Sequence, residues 1–194
     1  MSSVATPASS QLQLVLGIDS SAQSTGVSLI KTNYSSYVEA IQPKKLREGE
    51  RLLFIYNRIA SLVLQGRPSL IVMEAPSFGS TSKKFTLGEV HGVIKLLAAQ
   101  HSIPVILAAP KAVKKYATRR GTSGKEEMIK AAGESGCPSA QEDICDSWFM
   151  ALIGLDLLEG KARKPTRAKL EVLKVIKDSH AKQLAALAAL NSHP

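Results

Sequence analysis

The chain has 194 residues, enough for one domain with a sizeable core and an appendage. Its 44% hydrophobic and 21% charged residues are those of an ordinary globular protein, and no apolar run reaches the roughly 18 residues needed to cross a bilayer. The formal net charge of +9 favours a polyanionic partner without identifying one.

Residues 1–11 are Ser/Ala-rich and uncharged, without the basic start and apolar stretch of a secretory signal, and are expected to form a disordered leader. Residues 12–18 (LQLVLGI) are an apolar run of strand length that leads into Asp19. Residues 25–31 (TGVSLIK) alternate as a second strand and 37–42 as a third, with a turn around Thr32 and Asn33, so an antiparallel meander is expected. Residues 50–64 have helical period, with Leu52, Leu53, Ile55, Tyr56, Ile59, Leu62 and Val63 on one broad face, and Gly66 and Pro68 as stops.

Residues 69–73 (SLIVM) read as a short buried strand ending at Glu74, followed by a small, polar loop over 75–84. A helix over 85–101, a strand over 104–108 and a helix opened by Pro110 come next, Pro costing little in a first helical turn. After a flexible turn at 121–124, helices are expected over 125–135 and 141–158, the latter with Ile144, Trp148, Ala151, Leu152 and Leu155 on its apolar side. Residues 166–190 carry a helical pattern of their own, basic at first and Ala/Leu-rich at the end. The order predicts an α/β domain over 12–160, a mixed five-stranded sheet with helices on both faces, and a basic helical extension over 161–194.

Charge is distributed unevenly. Lys111, Lys114, Lys115, Arg119, Arg120, Lys125 and Lys130 form one basic block, and a second runs from Lys161 to Lys182. Residues 131–160 between them hold no Lys or Arg but carry Glu134, Glu142, Asp143, Asp146, Asp156 and Glu159. An acidic island between basic arms suits a metal site within a phosphate-binding surface, and equally suits solvated helix faces. Cys137 and Cys145 lie outside any CxxC pair and are expected to be reduced thiols.

Asp19 and Glu74 each end an apolar strand, and Asp143 and Asp146 lie three apart on one helix face. Each alone reads equally as a turn or helix cap. Together they are like charges that folding does not require, and a divalent cation reverses the sign of their repulsion. Mg²⁺ takes hard oxygen ligands and keeps waters, and two ions about 4 Å apart activate a water and stabilise a leaving oxygen. Lys125, at a helix start after Gly124, is placed to hold a phosphate oxygen.

Residues 16–30 (LGIDSSAQSTGVSLI) resemble the first hairpin of RuvC-like Holliday junction resolvases, RNase H-like nucleases that include phage and mobile-element members. IVMEAPSF (71–78), HGVIKLLAAQHSIPVILAAPKAVKK (91–115) and EDICDSWFMAL (142–152) resemble that family's later motifs, in its order. The resemblance implies an RNase H-like fold and a structure-selective DNA endonuclease acting on four-way junctions. It makes Asp19, Glu74 and Asp146 metal ligands, and Asp143 a ligand or an aid to water activation. It places Lys114 and Lys125 near the scissile phosphate, with Lys115 an alternative to Lys114. Phe78, one residue later than the family's pattern and after Pro76, would stack on bases.

Lys83, Lys84, Lys111, Arg119 and Arg120 would add DNA contacts. Mg²⁺, or Mn²⁺ in its place, is the implied cofactor, two ions to a site and no organic group. A two-fold dimer making paired nicks in a cytoplasmic, bacterial or phage-infected setting is implied as well, with no membrane partner. The extension and Glu142 beside Asp143 depart from the pattern. Two alternatives stay open: an RNase H-like nuclease of YqgF type acting on structured RNA, and an actin-like nucleotide-binding protein, suggested by Thr25 and Gly26 after Asp19.

Overall fold

The structure, a computed structural model, describes residues 12–21, 23–76 and 81–191, with side chains for all of these except 81–84, 186 and 188–191. The leader expected at 1–11 and Phe78 lie outside the described residues, as do the side chains of Lys83 and Lys84.

Strands β1 (Leu14–Ser20), β2 (Thr25–Lys31) and β3 (Ser36–Ile41) form the meander. Helix α1 (Glu48–Gly66) leads to β4 (Leu70–Glu74), and α2 (Thr81–Gln100) to β5 (Val105–Ala108). Four of the remaining helices are α3 (Pro110–Thr118), α4 (Lys125–Glu134), α5 (Glu142–Glu159) and α6 (Arg167–Ser179), and α7 (Ala181–Asn191) follows. The five-stranded sheet has the order β3-β2-β1-β4-β5, antiparallel from β3 to β1 and parallel from β1 to β5.

Strand alternation assigns every side chain to a face. Leu16 and Ile18 of β1 and Ile71 and Met73 of β4 join Ile55 and Ile59 of α1 and Val90 and Ile94 of α2 in one core. Val15 of β1 and Leu70 and Val72 of β4 point to the other core, with Trp148, Ala151 and Leu155 of α5 and Val113 and Tyr116 of α3. Because β1 and β4 are covered on both faces, they read as unbroken apolar runs. Continuing the alternation from Val15 puts Asp19 on the α5 face, and continuing it from Val72 puts Glu74 there too.

Helix α5 lies unusually close to the sheet because small residues meet it. A Cβ at Gly17 would come within 2.0 Å of the Ser147 carbonyl, and one at Gly154 within 2.5 Å of Val15. Buried Ser28 and Ser147 then share a 2.7 Å hydroxyl contact across the interface. The helix buries residues around its whole circumference from Ile144 to Asp156, so its apolar surface is wider than one stripe. Each large aliphatic side chain buried there contributes about 1.5–3 kcal/mol.

Four local expectations are corrected. Leu53 is 59% exposed, because the buried face of α1 is centred on Ile55, Ile59, Leu62 and Val63. The stop of α1 is made by Arg67 in the left-handed region (φ 50°), its N–H donating to the Val63 carbonyl, and Gly66 stays helical. Helix α2 starts at Thr81, inside the stretch expected as loop. The extension is two helices, broken at His180.

Candidate active site

The register pairs Ile18 with Met73, so the next residues, Asp19 and Glu74, leave adjacent strand ends side by side on the α5 face. Across the hairpin, Asp19 pairs with Gly26. A Cβ at Gly26 would come within 2.0 Å of the Asp143 carbonyl, so that glycine admits the first turn of α5 over the strand ends. Asp143 and Asp146 project from this turn, and the structure brings all four carboxylates together.

Their electrostatics report the crowding. Burial, then a hydrogen bond shared with Glu74, then the charges of Glu74, Asp146 and Asp143 hold the Asp19 carboxyl well above the usual carboxylate range. A carboxyl–carboxyl hydrogen bond needs a proton on one partner, which is why the contact with Glu74 favours the protonated form of Asp19. Asp146 is pushed up to about 6 by burial first, then by Glu74 and Glu142, while Lys114 pulls the other way. Its Oδ1 is buried without a hydrogen-bond partner.

Two cations border the acids. Lys114 of α3 acts on Asp146. Lys125 opens α4, its Nζ 2.6 Å from Glu142 Oε2, and Glu142 with a smaller contribution from Asp143 favours its charged form. The other expected DNA contacts lie further out. Lys115 meets Glu171 of α6 at 2.7 Å, Arg120 pairs with Glu127, and Lys111 and Arg119 are exposed. Glu142 is the residue whose place sequence reasoning left ambiguous: it faces Lys125. Gly17 and Gly26 were missed as determinants of the site, since what approaches them comes from more than a hundred residues away.

The donors fit a hard divalent cation. They are carboxylate oxygens, one buried and unpartnered, and burial and the neighbouring acids hold back the ionisation of Asp19 and Asp146. Among the described residues no three His, Cys, Asp or Glu side chains form a ready-made cation site. An open arrangement is in keeping with Mg²⁺, which uses one or two carboxylates and retains waters.

Residues 15–132 match the family model described as crossover junction endodeoxyribonuclease RuvC. The chain belongs to the RuvC family. The RuvC of Carboxydothermus hydrogenoformans is 26% identical over 148 residues, 72% of this chain and 94% of that one. The RuvC of Caldicellulosiruptor saccharolyticus is 29% identical over 149 residues, 71% and 89% of the two chains. The Thermus thermophilus RuvC structure superposes with a TM-score of 0.64 at 21% identity, covering 78% of this chain and 99% of that one. The same protein in complex with a Holliday junction substrate gives 0.64 at 20%, covering 72% and 90%. These structural likenesses show the RuvC fold, the expected mixed sheet with helices. RuvC nucleases depend on metal ions. The family match ends before α5, so the placement of Asp143 and Asp146 rests on the packing described above.

Proposed function

We propose that this chain resolves Holliday junctions by metal-dependent hydrolysis at Asp19, Glu74, Asp143 and Asp146. The observation that carries the assignment is the meeting of strand-borne Asp19 and Glu74 with the first turn of α5, in a chain of the RuvC family. The Holliday junction bound to the Thermus thermophilus relative supports branched DNA as the substrate. Neither RNA processing nor nucleotide binding by an actin-like domain finds support in these matches.

Asp19, Glu74 and Asp146 would hold Mg²⁺ or Mn²⁺, two ions to a site, with Asp143 as a ligand or an orienter of water. When bound, such ions supply positive charge at the phosphate and a water acidified for attack. Lys125 and Lys114 neutralise phosphate oxygens beside the acids, and Glu142 releases Lys125 to do so. Hydrolysis breaks the bond from phosphorus to the 3′ oxygen and leaves 5′-phosphate and 3′-hydroxyl ends. Lys83, Lys84, Lys111, Lys115, Arg119 and Arg120 bind backbone phosphates, and Phe78 stacks on bases at the opened centre. A two-fold dimer presents two such sites to the junction and nicks in pairs. In this reading residues 12–160 form the nuclease unit, 161–194 are an extension of it, and the protein works in the cytoplasm. Among the described residues no helix is long and apolar enough to cross a membrane.

The test is a substrate panel with Mg²⁺ or EDTA: a labelled four-way junction, matched duplex, a flap and an RNA–DNA hybrid. Paired nicks near the junction centre, with Mg²⁺ alone, are expected. Cutting of the hybrid with the junction left intact would favour the RNA-directed alternative.

A further inference from the structure

The second basic block, residues 161–182, is not absorbed by the catalytic site. Two of its cations are used inside the fold. The Arg163 N–H donates to buried Asp156 Oδ1 at 3.0 Å, and its guanidinium pairs with Glu159 and stacks over Tyr34, 4.7 Å from the ring centre. Lys169 donates to the Arg163 carbonyl at 3.0 Å and lies 4.5 Å above the Tyr116 ring. Tyr116 completes the knot by donating to Asp156 Oδ2 at 2.6 Å. Val172 and Ile176 of α6 and Leu187 of α7 are buried in the core that holds α5. At the far end, His180 Nε2 accepts the Leu107 N–H of edge strand β5. Helix α6 is therefore held on the domain at both ends.

What this anchoring leaves outside is positive. Lys161, Lys164, Arg167, Lys174 and Lys177 are all exposed. Among the described residues, only Arg167 of these five has an ion-pair partner, Glu171. Arg167, Lys174 and Lys177 sit at i, i+7 and i+10, one outward face of α6 spanning about 15 Å. The start of α6 and the end of α3 line one cleft, bordered by Lys115, Arg119 and Arg167, so this face continues the basic surface that runs along α3 from Lys114 beside the acids. Lys174 and Lys177 on α6, with Lys161 and Lys164 in the segment that leads into it, are exposed and have no ion-pair partner among the described residues, and they call for a polyanion of matching length. At 3.4 Å of rise per phosphate on each strand, about 15 Å spans roughly four phosphates of a duplex.

We infer that the outward face of α6 is a second DNA-contacting surface that grips the backbone of a duplex arm away from the cleavage point. The inference rests on the junction-nuclease reading and adds a contact made outside residues 15–132, the stretch that matches the family model. Arg167 exchanges an exposed pairing with Glu171 for a phosphate, and Lys174 and Lys177 need release no partner.

The experiment compares full-length wild type with the triple variant Arg167→Ser, Lys174→Ser, Lys177→Ser, all outward positions. It uses catalytically silent conditions (Ca²⁺ in place of Mg²⁺) and four-way junctions with arms of about two helical turns or about half a turn. Wild type should bind the long-armed junction more tightly than the short-armed one. The variant should lose that advantage, with affinity for long arms down about tenfold and the salt slope reduced by about 2–3, near 0.9 for each phosphate contact removed. Equal long-arm affinity and equal salt slope in the two proteins would overturn the inference, wild-type cleavage of four-way DNA remaining as the separate check on the reading beneath it. Wild type that neither binds nor cuts four-way DNA would defeat that reading, and the inference with it.

Discussion

Gly26 lies beneath the backbone carbonyl of Asp143, so close that a Cβ would sit 2.0 Å from the oxygen. Because Asp19 is the cross-strand partner of Gly26, this contact sets how near the acids of α5 come to those of the sheet. Gly26→Ala should therefore push α5 outward. The expected cost is about 1–3 kcal/mol of stability from overpacking, read from urea unfolding. Cleavage should fall by about 10²-fold, since a shift near 1 Å is enough to misalign a reacting site. An alanine variant with wild-type cleavage would show that the spacing is not set there.

The acid cluster makes the metal-free protein pH-sensitive, and the sign follows from the raised carboxyls. Folded Asp146 keeps its proton to about 6, against 3.8 for the free side chain. Below the lower value both states are protonated and the stabilisation is fully present. It is lost as pH rises from the lower value through the upper one, because over that window the folded state holds a proton that the unfolded state has already released. Asp19 acts in the same direction. In EDTA, Asp146→Asn should be the more stable protein at neutral pH, by on the order of 2 kcal/mol, with the gap opening between those two pH values. Mg²⁺ should raise the Tm of wild type more than that of the variant. Melting curves against pH check both; a gap that closes as pH rises would contradict the burial argument.

Lys125 and Glu142 are a pair in which only the lysine is assigned to DNA. Lys125→Ala should slow single-turnover cleavage by about 10²-fold, the scale of one lost transition-state contact. Glu142→Gln keeps the shape, frees Lys125, and should bind junctions as tightly as wild type or more so. Quenched-flow cleavage and fluorescence anisotropy separate the two effects. A slower Glu142→Gln enzyme with unchanged binding would instead make Glu142 one of the metal-site acids.

Tyr116 and Asp156 tie α3 to α5 where the extension departs. Tyr116→Phe leaves Asp156 Oδ2 without its donor in a buried setting, a loss of about 1–3 kcal/mol. Thermal unfolding should show it, and limited proteolysis should cut first after residue 160.

Much of this was legible in the chain. The hairpin could be read because β1 and β2 present uninterrupted or alternating apolar residues, and residues 25–31 fall on β2 as expected. The side-by-side placement of Asp19 and Glu74 follows from period-2 alternation once the parallel pairing of β1 with β4 is known, and that pairing is what a sequence does not print. The first turn of α2 was hidden because Thr81, Ser82, Lys83 and Lys84 carry no apolar period. The break between α6 and α7 was hidden because Lys177, Asp178, Ser179 and His180 include no Gly or Pro to mark a stop, and His180 turns the chain by contacts to Ile176 and Leu107 that only the tertiary fold supplies. The glycines that seat α5 were invisible as such, since a missing side chain gives no sign of what approaches it.

The most direct measurement is single-turnover cleavage of a labelled four-way junction in Mg²⁺ by wild type and by Asp146→Asn, with junction binding measured in parallel. The account predicts symmetric nicks by wild type, abolished by EDTA, and a variant that binds the junction normally but cuts it at least about 10³-fold more slowly, as loss of a metal-site acid implies. Cleavage by Asp146→Asn at the wild-type rate would contradict it, for the carboxylates gathered at β1, β4 and α5 would then not be the site of the reaction.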